Sequence, residues 1–141
     1  MKDNFSFKEM TYFRVARSLS ELSDHPQHKV GAIVVDKHQI ISSGYNSATK
    51  HHRLQAELNK ERFTDERDLG AVHAEVSALL PIYKHKDLRF ATMFIYREHA
   101  DGTYAMARPC QSCMKLIKQC GIKKIYYTTE DGLAVEILKG V

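Results

Sequence analysis

Two short segments carry residue types that can hold a metal ion and move a proton. The first is His73-Ala74-Glu75, and the second is Cys110-Gln111-Ser112-Cys113, which directly follows Pro109. Two cysteines with this spacing at the start of a helix can direct both sulfurs at one metal, and the backbone N–H groups there favour thiolate. The His73 imidazole adds a third ligand. Three protein ligands with an open position are typical of catalytic zinc, whereas structural zinc usually takes four.

Glu75 follows the histidine by two residues, so the imidazole can face the metal while the carboxylate faces the open position. Zinc in such a site lowers the pKa of water to about 7. Glu75 can then transfer protons to a ring nitrogen and to a leaving amine. The pattern predicts hydrolytic removal of an amino group from an amidine-like carbon, with Glu75 catalytic and His73, Cys110 and Cys113 binding Zn²⁺.

Each segment alone is a weak indicator. A Cys-x-x-Cys pair also occurs in redox sites and in structural zinc sites. Together, in this order and with Pro109 before the first cysteine, the segments match the signature of zinc deaminases that act on nucleobases. The third cysteine, Cys120, lies seven residues after Cys113 and about two helical turns away, which favours a buried free thiol.

The elements that must position these segments are predicted from hydrophobic periodicity and turn residues. Helices are predicted at Phe7–Leu22 with Ser6 as cap, Leu54–Phe63, Ala74–Leu80 and Cys113–Cys120, and strands at Val30–Val35, Ile40–Tyr45, Arg89–Tyr96, Ile125–Thr129 and Leu133–Leu138. We expect Thr103–Ala107 to pair back on the third main strand. The last strand should run antiparallel to its predecessor, because a parallel return needs a longer connection. This order predicts an α/β domain with a mixed central sheet of about five strands.

The composition is that of a globular protein, with 43% hydrophobic and 27% charged residues among 141. This length predicts a single domain over residues 1–141. No apolar run is long enough to cross a bilayer, and the N-terminus lacks a secretory signal, so we expect a cytoplasmic protein without a membrane partner. The formal charge of +4 suits a phosphorylated substrate or simply a solvated surface, and does not establish nucleic-acid binding.

The residues around the two segments resemble the cytidine and deoxycytidylate deaminase superfamily. Lys29–Val35 followed by Ser43–Asn46 looks like the first hairpin of deoxycytidylate deaminases, and Ile117–Tyr127 looks like their passage from helix to strand. The resemblance implies a three-layer α/β/α sandwich, one catalytic zinc and assembly into homo-oligomers. It also implies conversion of cytosine to uracil on a free nucleotide, with dCMP the first substrate to test.

The resemblance also implies residues that bind the substrate. Asn46 would contact the sugar or base, the backbone of Ala74 would meet the pyrimidine, and an aromatic ring near Tyr126 would border it. The alternatives are a turn residue for Asn46 and an ordinary strand residue for Tyr126. Arg108, directly before Pro109, either clamps a phosphate or extends into solvent.

Several features depart from the deoxycytidylate deaminase pattern. Ser77 stands where those enzymes usually carry Asn, the hairpin Arg97–Ala107 is longer, and a short C-terminal hairpin replaces a helix, as in free-nucleoside cytidine deaminases. The charged connection Lys50–Arg67 has three possible interpretations. They are a phosphate-binding lid, an accessory zinc site using His51 or His52, and a solvated helical face.

Three other functions compete with a nucleotide deaminase. They are a free-nucleoside deaminase, a deaminase of bases in tRNA or single-stranded nucleic acid, and a zinc-stabilised binding module without turnover. Nucleic acid is the less favoured substrate, because the sequence has no Trp and its basic residues are mixed with acidic ones. Glu75 argues against the binding module, because structural zinc needs no carboxylate at that position.

Overall fold

The computed structural model describes residues 5–60 and 71–139, which form four helices and five strands. The elements are α1 (Phe7–Ser20), β1 (Val30–Asp36), β2 (Gln39–Tyr45), α2 (Arg53–Lys60), α3 (Ala74–Leu79), β3 (Thr92–Arg97), α4 (Gln111–Gln119), β4 (Lys124–Thr129) and β5 (Gly132–Ile137). None of the helices in these ranges combines the length and apolar character needed to cross a bilayer.

The five strands form one mixed sheet in the order β2-β1-β3-β4-β5. Strands β3 and β4 are parallel and are joined through α4, while the other neighbouring pairs are antiparallel. The predictions of a mixed sheet of about five strands and of an antiparallel last strand are both confirmed. The parallel pair places the N-terminal end of α4 beside the carboxyl end of β3, where ligand sites commonly form in α/β sheets.

Each face of the sheet has its own hydrophobic core, because successive side chains of a strand point to opposite faces. On one face, Phe13 and Ala16 of α1 pack with Ile33, Phe94 and Tyr126. On the other face, helices α3 and α4 cover the core formed by Ala32, Val34, Met93, Ile95, Ile125, Val76 and Ile117. Both predicted metal-binding segments therefore lie on the α3/α4 face.

The start of α1 is confirmed as predicted. The Ser6 hydroxyl accepts a hydrogen bond from the Glu9 N–H at 3.1 Å, and the Glu9 carboxylate accepts one from the Ser6 N–H at 2.8 Å. This reciprocal capping satisfies two N–H groups that a helix leaves unpaired. The helix ends at Ser20, earlier than predicted, and Leu22 is exposed to solvent.

Other predicted boundaries differ from the structure. β3 begins at Thr92 rather than at Arg89, whose guanidinium folds back onto the Asp87 carboxylate at 2.7 Å. The predicted strand Thr103–Ala107 makes only an isolated bridge, between Glu98 and Tyr104. The helix predicted over Leu54–Phe63 is observed as α2, and residues 61–63 lie outside the described ranges.

Gly31 allows α1 to lie directly on the sheet. A Cβ atom at this position would lie 2.0 Å from the Ala16 carbonyl oxygen and 2.6 Å from the Ser20 nitrogen, both backbone atoms of α1. We expect Gly31→Ala to lower the free energy of unfolding by about 3 kcal/mol, because helix and strand must separate. Denaturant unfolding measures this, with Ser43→Ala on the exposed side of β2 as control. Equal stability of both variants would contradict the packing argument.

Candidate metal centre and active site

The N-terminal ends of α3 and α4 bring the three predicted metal ligands together. His73 is the N-cap residue of α3, and Cys110 is the N-cap residue of α4. The His73 Nδ1 atom lies 3.2 Å from the Cys113 sulfur and 3.6 Å from the Cys110 sulfur. All three donor atoms lie within 4.8 Å of one another.

These separations fit a tetrahedral zinc ion. Zinc bonds of about 2.0–2.3 Å to nitrogen and sulfur place neighbouring ligands roughly 3.5–3.8 Å apart. The donor set of one imidazole and two thiolates also suits zinc. Within the described residues, no other group of three or more potential ligands lies this close, so none includes His51 or His52.

The surroundings of Cys110 favour its thiolate form. A hydrogen bond with the Cys113 thiol, with further ones from His73 and Ser112, lowers the pKa of the Cys110 thiol to about 2 against the opposing effect of burial. The N-terminus of α4 adds partial positive charge at the same point. Thiolate is the form in which cysteine binds a metal.

Glu75 lies in the first turn of α3 and is only 6% exposed. Burial raises the pKa of its carboxyl group, while the positive charge of His73 opposes that rise. A carboxyl group with a raised pKa can both accept and return a proton near neutral pH. The structure therefore places an acid/base group beside the three potential ligands.

A cavity of about 490 Å³ opens beside this cluster and is lined by two of its members, His73 and Cys110. Its volume is within the range of small-molecule sites. Three of the four residues predicted to bind substrate, Asn46, Ala74 and Arg108, line it together with His73, Glu75 and Cys110. The structure thus brings most of the predicted site together.

Asn46 lines the cavity, but its amide group also holds the chain before β1. Its side-chain oxygen accepts a hydrogen bond from the Val30 N–H at 2.8 Å, and its NH₂ group donates one to the His28 carbonyl at 2.5 Å. Asn46 therefore shapes the wall of the cavity. A contact between Asn46 and substrate stays a prediction.

Arg108 is engaged by a carboxylate on β5. Its Nε and Nη2 atoms each donate to a Glu136 oxygen at 2.9 Å, and Glu136 also accepts a hydrogen bond from the Tyr127 hydroxyl at 2.9 Å. This bidentate geometry is the same fork that would bind a phosphate. The Glu136 carboxylate therefore already balances the charge that Arg108 would offer to a phosphate.

The structure corrects the expectation for Tyr126. Its ring stacks on Phe94 with centroids 4.4 Å apart, and its hydroxyl donates a hydrogen bond to the Glu9 carboxylate. Tyr126 therefore faces α1, on the side of the sheet opposite the cluster. Its neighbours Ile125 and Tyr127 point to the α3/α4 face instead, because side chains alternate along β4.

Ser77 also lies outside the cavity of the cluster. It packs against β2, where a Cβ on Gly44 would lie 2.7 Å from the Ser77 Cβ. The serine that replaces the usual Asn at this position therefore contributes to the packing between α3 and β2.

Two buried amides on α2 that the sequence analysis did not single out support the cluster. The Gln55 side chain is fully buried, accepts a hydrogen bond from the His73 N–H at 3.0 Å, and donates one to the Asn59 side chain at 3.1 Å. Asn59 in turn accepts one from the Ser112 hydroxyl at 3.4 Å. This chain of contacts links α2 to both metal-binding segments. In the sequence, the residues around Gln55 indicated a helix but gave no sign that this side chain is buried.

Gln55 is a positioning residue in this arrangement. We expect Gln55→Leu to weaken zinc binding about tenfold. Changes to groups that support metal ligands lower metal affinity roughly 10- to 100-fold. The lower end applies here because Gln55 holds the His73 backbone rather than its imidazole. Competition with a chromogenic chelator measures the affinity. Gln119→Leu, the same change at an exposed position of α4, is the control. Unchanged zinc affinity in Gln55→Leu would contradict the positioning role.

The sheet order, the two helix N-termini and the buried Glu75 define the class of cytidine deaminase-like α/β proteins. Residues 7–129 match the family model of the cytidine and deoxycytidylate deaminase zinc-binding region. The chain belongs to this family.

Individual relatives agree with this assignment. The deoxycytidylate deaminase of Mycobacterium phage D29 is 30% identical over 129 residues, covering 84% of this chain and 92% of that protein. The dCMP deaminase of cyanophage S-TIM5, solved in complex with dCMP and dUMP, superposes with a TM-score of 0.58 at 26% identity, covering 88% of this chain and 83% of that one. The cytidine deaminase of Burkholderia pseudomallei shares the fold, with a TM-score of 0.63 at 15% identity over 94% of this chain and 93% of that one.

Proposed function

We propose that this protein is a zinc-dependent hydrolytic deaminase that converts cytosine to uracil on a free nucleotide, with dCMP as substrate. The observation that carries the proposal is that buried Glu75 shares one cavity with His73 and Cys110, two members of the ligand cluster that Cys113 completes. The similarity to deoxycytidylate deaminases over most of the chain supports dCMP in particular.

His73, Cys110 and Cys113 would hold the zinc ion. The chemistry that zinc supplies in such a site is Lewis-acid activation of water. Three protein ligands would leave one coordination position of such an ion for water or substrate. The N-terminal ends of both helices favour the anionic thiolates that this role requires.

Glu75 would move the protons. Its carboxylate takes a proton from the attacking water as the C–O bond forms at the amidine-like carbon of cytosine. It delivers that proton to the ring nitrogen, and then moves the remaining proton of the new hydroxyl group to the amino group, so that the C–N bond breaks, ammonia leaves and the hydroxyl oxygen becomes the uracil carbonyl. Burial of Glu75 raises the pKa of its carboxyl group, which favours return of the proton. Ala74 lines the same cavity, and its backbone would meet the pyrimidine ring.

A substrate panel followed by ultraviolet absorbance tests the proposal. It compares dCMP and CMP with their nucleosides and triphosphates, with guanine and adenine nucleosides, and with single-stranded oligonucleotides. We expect dCMP to be the preferred substrate. Turnover of oligonucleotides without any monomer would overturn the proposal, and so would one bound zinc without turnover of any compound.

Three further expectations stay predictions from the sequence. They are assembly into homo-oligomers, a cytoplasmic location and a single domain over residues 1–141.

A further inference from the structure

A basic group lines the cavity on the side away from α4. It consists of His25, His28 and Arg97, all of which line the same cavity as Glu75 and Cys110. Arg97 is the last residue of β3, and its backbone is fixed at both ends. The Arg97 N–H donates to the Thr128 hydroxyl at 3.1 Å, and the Arg97 carbonyl accepts from the Ala105 N–H at 3.0 Å. The side chain therefore starts from a rigid position.

Among the described residues, the Arg97 guanidinium has only neutral partners within hydrogen-bond distance. Its Nη2 atom lies 2.6 Å from His28 Nδ1, and its Nη1 atom donates to the Met106 carbonyl at 3.2 Å. Its Nε atom is buried without an acceptor among the described residues. Both Nη atoms carry a second N–H group, because a guanidinium has five donors in all. Two donors are thus available for an incoming anion.

The two arginines of the cavity differ in charge balance. Arg108 is neutralised by Glu136 at 2.9 Å, whereas no carboxylate of the described residues lies within 4.0 Å of Arg97. Glu75 is the only acidic residue that lines the cavity in the described ranges, and burial raises the pKa of its carboxyl group. Among the described residues, Arg97 is therefore the arginine of this cavity without a carboxylate in direct contact, although its charge also acts on the Glu130 carboxylate.

His28 orients Arg97. A guanidinium only donates hydrogen bonds, so His28 Nδ1 at 2.6 Å must act as the acceptor, which requires a neutral imidazole. Burial and the positive charge of Arg97 lower the pKa of His28, which favours this neutral form. The His25 ring packs beside His28 with centroids 5.3 Å apart.

We propose that Arg97, oriented by His28, binds the phosphate monoester of the nucleotide substrate and so selects nucleotides over free nucleosides. The assignment rests on the proposed function, since it names the group that holds the substrate's phosphate in that same cavity. A rigid guanidinium with parallel N–H donors matches two phosphate oxygens. Arg108, already paired with Glu136, has the lesser role.

Kinetic constants for dCMP and deoxycytidine test the proposal, because the two compounds differ only in the phosphate. We expect Arg97→Met to raise KM for dCMP about 10- to 100-fold, because the variant loses a charge-assisted hydrogen bond to the phosphate. The KM for deoxycytidine, which has no phosphate, should change by less than about twofold. Arg97→Lys keeps the charge without the fork, so a smaller rise of about three- to tenfold is expected. Arg89→Met, an exposed arginine paired with Asp87, is the control. An unchanged KM for dCMP, or an equal rise for both compounds, would overturn the assignment.

Calorimetric binding of dUMP and deoxyuridine separates this claim from the proposed function, because it needs no turnover. The wild-type protein should bind dUMP more tightly than deoxyuridine, and Arg97→Met should abolish the difference. That result supports the phosphate site even if the wild-type protein deaminates nothing, in which case only the proposed function fails. Thermal melting checks that the Arg97→Met and Arg97→Lys variants are folded. If both folded variants bind dUMP as tightly as the wild-type protein does, the assignment of the phosphate site is wrong.

Discussion

Glu75→Gln is expected to lower kcat for dCMP by about 10³- to 10⁴-fold while zinc stays bound, because an amide cannot take or return the proton. The substitution keeps the size of the side chain and removes a carboxyl group that is only 6% exposed. Burial raises the pKa of Glu75, which favours return of the proton that the carboxylate has taken, and the amide cannot do this. Steady-state kinetics and metal analysis on the same sample measure both effects.

The control for Glu75→Gln is Glu57→Gln, the same change at an exposed position of α2. It should keep full activity. A Glu75→Gln variant that stays within a few-fold of wild-type kcat would show that another group moves the proton. Loss of zinc together with activity would mean instead that Glu75 contributes to metal binding.

Cys110→Ala is expected to lose both zinc and turnover. The remaining ligands, His73 and Cys113, are too few for a catalytic zinc site, which takes three from the protein. The removed sulfur also lies 3.6 Å from the His73 imidazole and 3.3 Å from the Ser112 hydroxyl, so its loss leaves a gap at the centre of the cluster. Elemental analysis after gel filtration should find a small fraction of the zinc that the wild-type protein holds.

Cys120→Ala is the matched control, because it removes a thiol from the same helix region outside the cluster. Burial raises the pKa of Cys120 to about 11, which keeps this thiol protonated and unsuited to metal binding. It should retain zinc and activity. A Cys110→Ala protein that retains stoichiometric zinc would show that a different ligand set holds the metal.

The ligand cluster could be predicted from the sequence because each of its parts has a local signal. Cys110 and Cys113 fall at the start of one helix, and His73 and Glu75 at the start of another, so short-range spacing determines where each side chain points. The order of the elements also predicted the sheet, since the short connection from β4 to β5 permits only an antiparallel return.

Contacts between residues far apart in the chain could not be predicted in the same way. The Arg108–Glu136 pair joins residues 28 positions apart, and the Arg97–His28 pair joins residues 69 positions apart. Which ion pair forms depends on strand order, which local patterns do not specify. Hence the sequence drew attention to Arg108 as the phosphate-binding candidate, while the structure shows that its charge is already paired.

The face to which a strand residue points is a second limit. Tyr126 and Tyr127 are adjacent aromatic residues in a buried strand, and sequence alone gives no register to tell them apart. The structure assigns Tyr126 to the α1 face and Tyr127 to the face of the cluster. Gln55 was missed for a related reason, since a buried amide within a charged connection looks like a solvated residue until its partner His73 is known.

The most direct test of the account is deamination of dCMP by the zinc-loaded protein in water enriched in oxygen-18, with the product identified by mass spectrometry. The account predicts dUMP that carries one oxygen-18 atom in the uracil ring carbonyl, with one ammonia released for each dUMP formed. Zinc bound at one ion per chain with dCMP recovered unchanged would contradict it.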